Sequence, residues 1–437
     1  MPVPSGPRCR GALFGSPKRF SQAVLKTNTG NFGRIGACTI CMLLRCFFAW
    51  LVGGAVACAL PQADPAEMYA HAMATRYAPY ADWQPVVDVD ALAVQAAESA
   101  YWQTPAAIAA AREATALPLA GLHLALDPGH VGGKWAEAEW RQFRIAANDF
   151  YVREGELVLE VAQRVRAHLV ELGAEVTLLR EANVRVNPKG PVDYLQLAAQ
   201  QVPAPKEASL AELINYGVAL RARAVRLSIV VGDLAARARL VNETIQPDAL
   251  ISLHINAARW PVVVAADEPA KKDTIEPATC HESSSMGTLR LVASNHVHAL
   301  IFGCMSQREL QSVRQQAQLA VKLSNGSGTA EWRLGAALAE AFALGTGLPA
   351  STYGGTNAIL LDAQSPYLFA RNLMLLRSVE CPTVLLEPYV ANSVAVYSRI
   401  QAALANRATG AALAADDILL EYTDAVVAGV LACYAAE

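Results

Sequence analysis

The chain has 437 residues, 53% of them hydrophobic and 17% charged, which suits one large or two ordinary folded domains and excludes intrinsic disorder. The net charge of −3 hides an asymmetry: residues 1–58 hold seven Lys or Arg and no acid, which leaves 29 basic against 39 acidic side chains in residues 59–437. A net of −10 over that stretch, with no basic stripe, speaks against nucleic acid as a partner, because neutralising phosphates needs a basic face.

In chain order, the first feature is the apolar run CFFAWLVGGAVAC, which begins at Cys46 after Arg45. Its length fits the core of an export signal and falls short of a membrane span. Ala55-Val56-Ala57 suits an A-x-A cleavage site, and Cys58 after it resembles the lipid-acceptor cysteine of bacterial lipoproteins, with Ala55 where Leu is preferred. Residues 1–58 are therefore read as a targeting segment, with Met42 as an alternative start. The mature protein is expected to be exported, to the periplasm or cell envelope, and either soluble or lipid-anchored at Cys58. Cys9, Cys38, Cys41, Cys46 and Cys58 lie in or beside the leader, so the C-x-x-C spacing of Cys38 and Cys41 is discounted as a metal site. Export permits disulfides, and among Cys280, Cys304, Cys381 and Cys433 the first pair to test is Cys280 with Cys304.

Residues 59–117, rich in Ala, Tyr and Trp, read as a helical N-terminal extension. From residue 118 strands and helices alternate. LHLAL (122–126) is a strand. Leu157, Val158, Val161, Val165, Leu169 and Leu172 recur at helical spacing, and Gly173 ends that helix. AEVTLLR is the next strand. DLAARARLVNETI is a helix capped by Asp233 and stopped before Pro247, and ALISLHIN is a strand. WRLGAALAEAFAL is a helix, PTVLLEPYV a strand, and DDILLEYTDAVVAGVLACY a closing helix. The order predicts an α/β fold, a mostly parallel sheet with helices on both faces in a single domain of residues 118–437. Residues 188–232 and 260–328 are too long for ordinary connections and are read as two insertions.

Four polar residues fall at the ends of these elements. Asp127-Pro128-Gly129-His130 breaks the first strand, and open α/β sheets form their ligand sites beyond the carboxyl ends of strands. Glu154 stands at the entrance of the next helix, where its plain role is to complement the helix dipole. His254 ends ALISLHIN, and Glu387 follows Val384-Leu385-Leu386, where an unpaired carboxylate is costly. Two imidazoles and a carboxylate with one open position describe a catalytic zinc site, and a carboxylate that is not a ligand can serve as general base.

These stretches, in order, resemble the zinc-dependent N-acetylmuramoyl-L-alanine amidases, which trim bacterial peptidoglycan. LALDPGHVGG is similar to the family's D-x-G-H-G-G opening, with Val131 where glycine is usual. REGELVLEVAQRVRAHLVELGAEVTLLR resembles the ligand-bearing helix and following strand, LISLHINA the S-I-H-x-N-A block, and LRSVECPTVLLEPYVAN the closing block. Pro388-Tyr389 stands where the family usually has Gly-Phe. The resemblance implies one Zn²⁺ per chain on His130, Glu154 and His254, with Glu156 as an alternative to Glu154, and Glu387 as general base. Asp127, Asn256 and Arg377 are supporting candidates. It also implies peptidoglycan as substrate and an amidase domain over 118–437. Some relatives cover the zinc with a helix after the His254 strand until an activator protein removes it. His281, Glu282 and Glu309 in the 260–328 insertion are the residues to examine for that. The alternatives are a zinc peptidase of other specificity on the same scaffold, and a non-catalytic peptidoglycan-binding regulator.

Overall fold

The computed structural model describes residues 64–94, 100–206, 209–257, 290–353 and 355–435. The leader, Cys58, Cys280, His281 and Glu282 lie outside the described residues, and so does the Cys280–Cys304 pairing. Cys304, Cys381 and Cys433 are buried thiols.

Among the described residues nine strands form: β1 (His123–Pro128), β2 (Gln142–Phe143), β3 (Val152–Arg153), β4 (Glu175–Leu178), β5 (Ala249–Leu253), β6 (Val297–Phe302), β7 (Ile359–Leu360), β8 (Leu368–Arg371) and β9 (Thr383–Pro388). Seven make one sheet in the order β4-β1-β5-β9-β6-β8-β7, and β2 and β3 pair as a separate two-stranded ribbon. β4, β1, β5 and β9 run parallel; β6 is antiparallel to β9, β8 parallel to β6, and β7 antiparallel to β8. The architecture is the α/β one expected from the sequence, with a mostly parallel sheet.

Strand residues alternate between two cores because successive side chains point to opposite faces. Leu124, Leu126, Ile251, Val384 and Leu386 face the larger core, with Leu157, Val158, Val161, Val165 and Leu169 of the Glu154–Glu171 helix. Leu334, Leu338 and Phe342 of the Ser327–Thr346 helix join them, with Leu419, Tyr422 and Val426 of the Ile418–Tyr434 helix. On the other face Leu300, Phe302, Phe369 and Leu385 pack with Met73, Tyr77, Trp83, Leu319 and Leu323. Ala125 and Leu250 pack there with Ala238, Val241 and Leu375. Among the described residues no helix is long and apolar enough to cross a membrane.

Three sequence expectations are corrected. Part of the 260–328 stretch is core: β6 sits between β9 and β8 and is buried at every position. VHALIF reads as part of an insertion only because its parallel partner, β8, is a four-residue strand that periodicity does not reveal. The 188–232 stretch ends inside a helix and not before one. The helix at Leu210–Arg226 continues through a π turn (Leu227–Val231), Gly232–Arg239 and a second π turn (Leu240–Ile245). Asp233 therefore lies inside a helix instead of capping one. It is 2% exposed and held by Asn187 N at 2.8 Å and Arg237 Nε at 2.8 Å.

The segment from Pro65 to Tyr77 is built into the domain. Arg76 donates to Phe302 O at 2.8 Å and Gly328 O at 2.7 Å, and pairs with Glu331, which Lys322 Nζ also reaches at 2.6 Å. Glu331 is 0% and Lys322 1% exposed, so this ion group has left water completely. Removing the shared anion strands two buried cations, and breaking buried pairs in this way costs about 3–5 kcal/mol. Glu331→Gln is expected to lower the unfolding free energy by that amount, seen as a lower urea midpoint with an unchanged slope in equilibrium unfolding.

Candidate active site

Parallel register brings the site together. Pro128 pairs with Leu253 and Leu253 with Leu386, so the chain leaves β1, β5 and β9 at one rim with His130, His254 and Glu387 just beyond or at the strand ends. Helix Glu154–Glu171 starts at the same rim with Glu154 as its first residue.

The turn after β1 is held from below by two arginines. Arg237 Nη1 donates to Asp127 Oδ1 at 2.5 Å and to Pro128 O at 2.8 Å, and its Nη2 donates to His130 O at 2.8 Å. Arg180 donates to Pro128 O at 3.1 Å, Gly129 O at 3.2 Å and Gly155 O at 2.6 Å. Ser252 Oγ completes the shell of Asp127 at 2.7 Å. Asp127 is buried, yet Arg237 and Ser252 hold its carboxyl below the usual range. It thus supports the turn from beneath and does not enter the cleft.

Two glycines allow the close approach. A Cβ on Gly129 would lie 2.4 Å from the His254 ring, and one on Gly155 would lie 2.4 Å from Gly132 N. His130 itself takes φ +55°, in the left-handed region that non-glycine residues rarely adopt.

His130, Glu154 and His254 each offer a ligand atom, all within 4.8 Å of one another. His130 Nε2 lies 3.3 Å from Glu154 Oε2, and His254 Nδ1 lies 2.9 Å from Glu154 Oε1. Donors about 2.0–2.1 Å from a tetrahedral zinc stand roughly 3.3–3.4 Å apart, close to these spacings, and Arg141 Nε, which donates to His130 Nε2 at 3.0 Å, would have to turn away for an ion to bind there. Glu139 Oε1 lies 3.8 Å from the other ring nitrogen of His130, and its Oε2 accepts from Val131 N at 2.9 Å, which ties it to the same turn. Glu156 turns elsewhere: its Oε1 accepts from Gly133 N at 3.0 Å and sits 3.4 Å from Arg153 Nη1.

The two carboxylates at the rim are tuned in opposite directions. Burial opposes the charge on Glu154, but His130, the hydrogen-bonded His254 and Arg141 hold it down at about 2. Burial raises Glu387, with Glu154 adding to the effect and His254 opposing it. One group stays an anion, and the other is poised to exchange a proton.

A cleft of about 370 Å³ opens over these residues, lined also by Trp140, Arg141, Asn256 and Arg371. Asn256 Nδ2 lies 3.2 Å from His296 Nε2 at the cleft wall. Arg377 stays outside: it donates to Gln318 Oε1 and Asn372 Oδ1, each at 3.2 Å, before β9 begins. Glu309 closes a capping box with Ser306 instead of facing the trio. Arg141, Arg371 and Trp140 escape sequence reading, since none lies in an ordered block. Trp140 at φ +58° and 66% exposure was the signal available, but only to someone holding the backbone.

Replacing Gly129 with Ala pushes a methyl into the His254 ring. Gly129→Ala is expected to weaken zinc binding at least tenfold while far-UV circular dichroism stays unchanged, measured by chelator competition.

No family model matches the chain. The germination-specific N-acetylmuramoyl-L-alanine amidase of Bacillus subtilis (strain 168) is 28% identical over 148 residues, 32% of this chain and 41% of the relative. The match therefore spans about two fifths of that curated relative. Solved structures that align include the N-acetylmuramyl-L-alanine amidase Ami1 of Mycobacterium smegmatis, with 16% identity, 71% of this chain, 96% of that chain and a TM-score of 0.35. The amidase AmiC2 of Nostoc punctiforme aligns with 13% identity, 72% and 97% coverage and a TM-score of 0.34. The CwlD amidase of Clostridioides difficile, solved in complex with the GerS lipoprotein, aligns with 10% identity, 71% and 96% coverage and a TM-score of 0.34. By its sequence match, and by the ordered blocks that carry His130, Glu154, His254 and Glu387, the chain is similar to the N-acetylmuramoyl-L-alanine amidases.

Proposed function

We propose that the chain is an exported zinc amidase that cleaves the amide between the lactyl group of N-acetylmuramic acid and L-alanine in peptidoglycan. The observation that carries this reading is the trio of His130, Glu154 and His254 with the half-buried Glu387 one strand away at the same rim. Sequence similarity supplies the substrate.

A zinc ion held by the three ligands would act as a Lewis acid, polarising the amide carbonyl and acidifying water beside it. The protein's own groups supply the rest. Glu387 takes a proton from the water as its oxygen bonds to the carbonyl carbon, then delivers that proton to the amide nitrogen, and the C–N bond breaks as the amine leaves. Tyr422 Oη donates to His254 O at 2.9 Å and fixes the backbone of one ligand. Arg180 and Arg237 fix the backbone of another through the carbonyls they bind. The export signal in residues 1–58 accords with a cell-wall substrate.

The test is release of stem peptides that begin at free L-alanine, followed by mass spectrometry on purified peptidoglycan. Wild type with about one zinc per chain is expected to release them. Glu387→Gln is expected to keep its zinc and lose about 10²–10⁴-fold in rate, the usual worth of a general base. Zinc with release of a different cleavage product contradicts the amidase reading and favours another specificity.

The pH profile follows from the same assignment. A base works as the anion, so raising its pKa moves the acid limb upward. The limb of kcat/KM is expected above 4.5, the ordinary glutamate value, with activity lost as pH falls through it. An acid limb that persists unchanged in the residual activity of Glu387→Gln argues against Glu387 as the base.

A further inference from the structure

Beside Glu387 the sheet carries a second polar cluster that the proposed chemistry leaves unused. β6 runs antiparallel to β9, and His298 is the register partner of Glu387. The strand order puts β6 on the side of β9 away from β5 and His254. His298 is 1% exposed, its Nε2 lies 2.8 Å from Tyr353 Oη, and its Nδ1 has no hydrogen-bond partner among the described residues. A buried ring nitrogen without a partner is uncommon and asks for a cause. Burial, with His296 and Arg371 nearby, holds the imidazole at about 3, so it stays neutral.

Arg371 comes from the end of β8, beyond β6. Its guanidinium carbon lies 5.8 Å from the centre of the Tyr353 ring, and its side chain lines the same cleft as Glu387. It is half-buried and forms no ion pair among the described residues. Of the three side chains Arg371 lines the cleft, and its guanidinium is the charged donor suited to a carboxylate, while Tyr353 and His298 bond each other behind it.

We propose that Arg371, with Tyr353 and His298 packed behind it, binds a carboxylate on the peptide side of the substrate, next to Glu387 and away from the ligand trio. The inference rests on the amidase reading for its substrate. On the acyl side of the scissile bond a muramyl group presents hydroxyls and amides. Free carboxylates belong to the stem peptide, so an anion subsite selects the peptide half. The subsite sets orientation: it draws the leaving amine to the Glu387 end of the cleft, where the proton is delivered. A site built around charged donors rejects an analogue that lacks the anion more strongly than an apolar pocket discriminates by size.

Two measurements on the zinc-loaded full chain test this. The first compares kcat/KM for a muramyl peptide with free stem carboxylates and for the same peptide amidated. Wild type is expected to favour the acid form, and Arg371→Gln to lower the acid-to-amide ratio at least tenfold, with Tyr353→Phe lowering it about threefold. Arg371→Lys keeps the charge and guards against a folding loss; it is expected to fall between. Equal loss on both substrates with a displaced acid limb overturns the proposal and assigns Arg371 to tuning Glu387. The second measurement is calorimetric binding of L-alanyl-D-glutamate and its diamide, which needs no turnover. Tighter binding of the acid, lost at least tenfold in Arg371→Gln, supports the subsite even if no peptidoglycan is cleaved. Equal binding of acid and diamide by wild type overturns it.

Discussion

The site hangs on the buried ion pair between Arg237 and Asp127. Arg237 joins Asp127 at the end of β1 to Asp233 in the long helix, and its remaining donors reach the carbonyls of Pro128 and His130. Arg180 binds the carbonyls of Pro128, Gly129 and Gly155 from beside it. A non-glycine residue in the left-handed region costs about 1–3 kcal/mol. Each hydrogen bond to a charged donor returns roughly 1.5–3 kcal/mol, and several act on this one turn. The strained backbone of His130 is thus over-determined, and its ring stands where the sheet rim and the start of the Glu154–Glu171 helix converge.

From that constraint follows the division of labour between two carboxylates at one rim. Both are partly withdrawn from water, which by itself would raise both. Glu154 lies against His130 and His254 and remains an anion, as a ligand must. Glu387, one strand further, keeps the rise that burial imposes and feels Glu154 as a like charge. Pairs of acids driven apart by their surroundings mark the acid and base assignments of many hydrolases.

Much of this was legible in the residues. LHLAL, ALISL and TVLLEP are apolar runs that only a strand buried on both faces explains, and each ends in a polar residue at the rim. The Glu154 helix declares itself by spacing and by Gly173. What stayed hidden depends on tertiary contact. VHALIF looked like insertion because the sheet changes direction there and β8 is too short to show a period. Asp233 after Gly232 looked like a cap, but its real partner is Arg237 one turn on, and beyond it Asp127 from β1. Glu154 and Glu156 differ by two residues in sequence, and only the fold shows that one meets the histidines while the other meets Gly133 N. Arg371 reaches Glu387's end of the cleft from a strand two places away, a relation that linear spacing does not encode.

The most direct test of the central claim is X-ray absorption at the zinc edge on the zinc-loaded full chain. The account predicts a nitrogen and oxygen shell at about 2.0–2.1 Å with the scattering signature of two imidazoles, one of which disappears in His254→Ala. A sulfur shell at about 2.3 Å, or a spectrum that His254→Ala leaves unchanged, would contradict it.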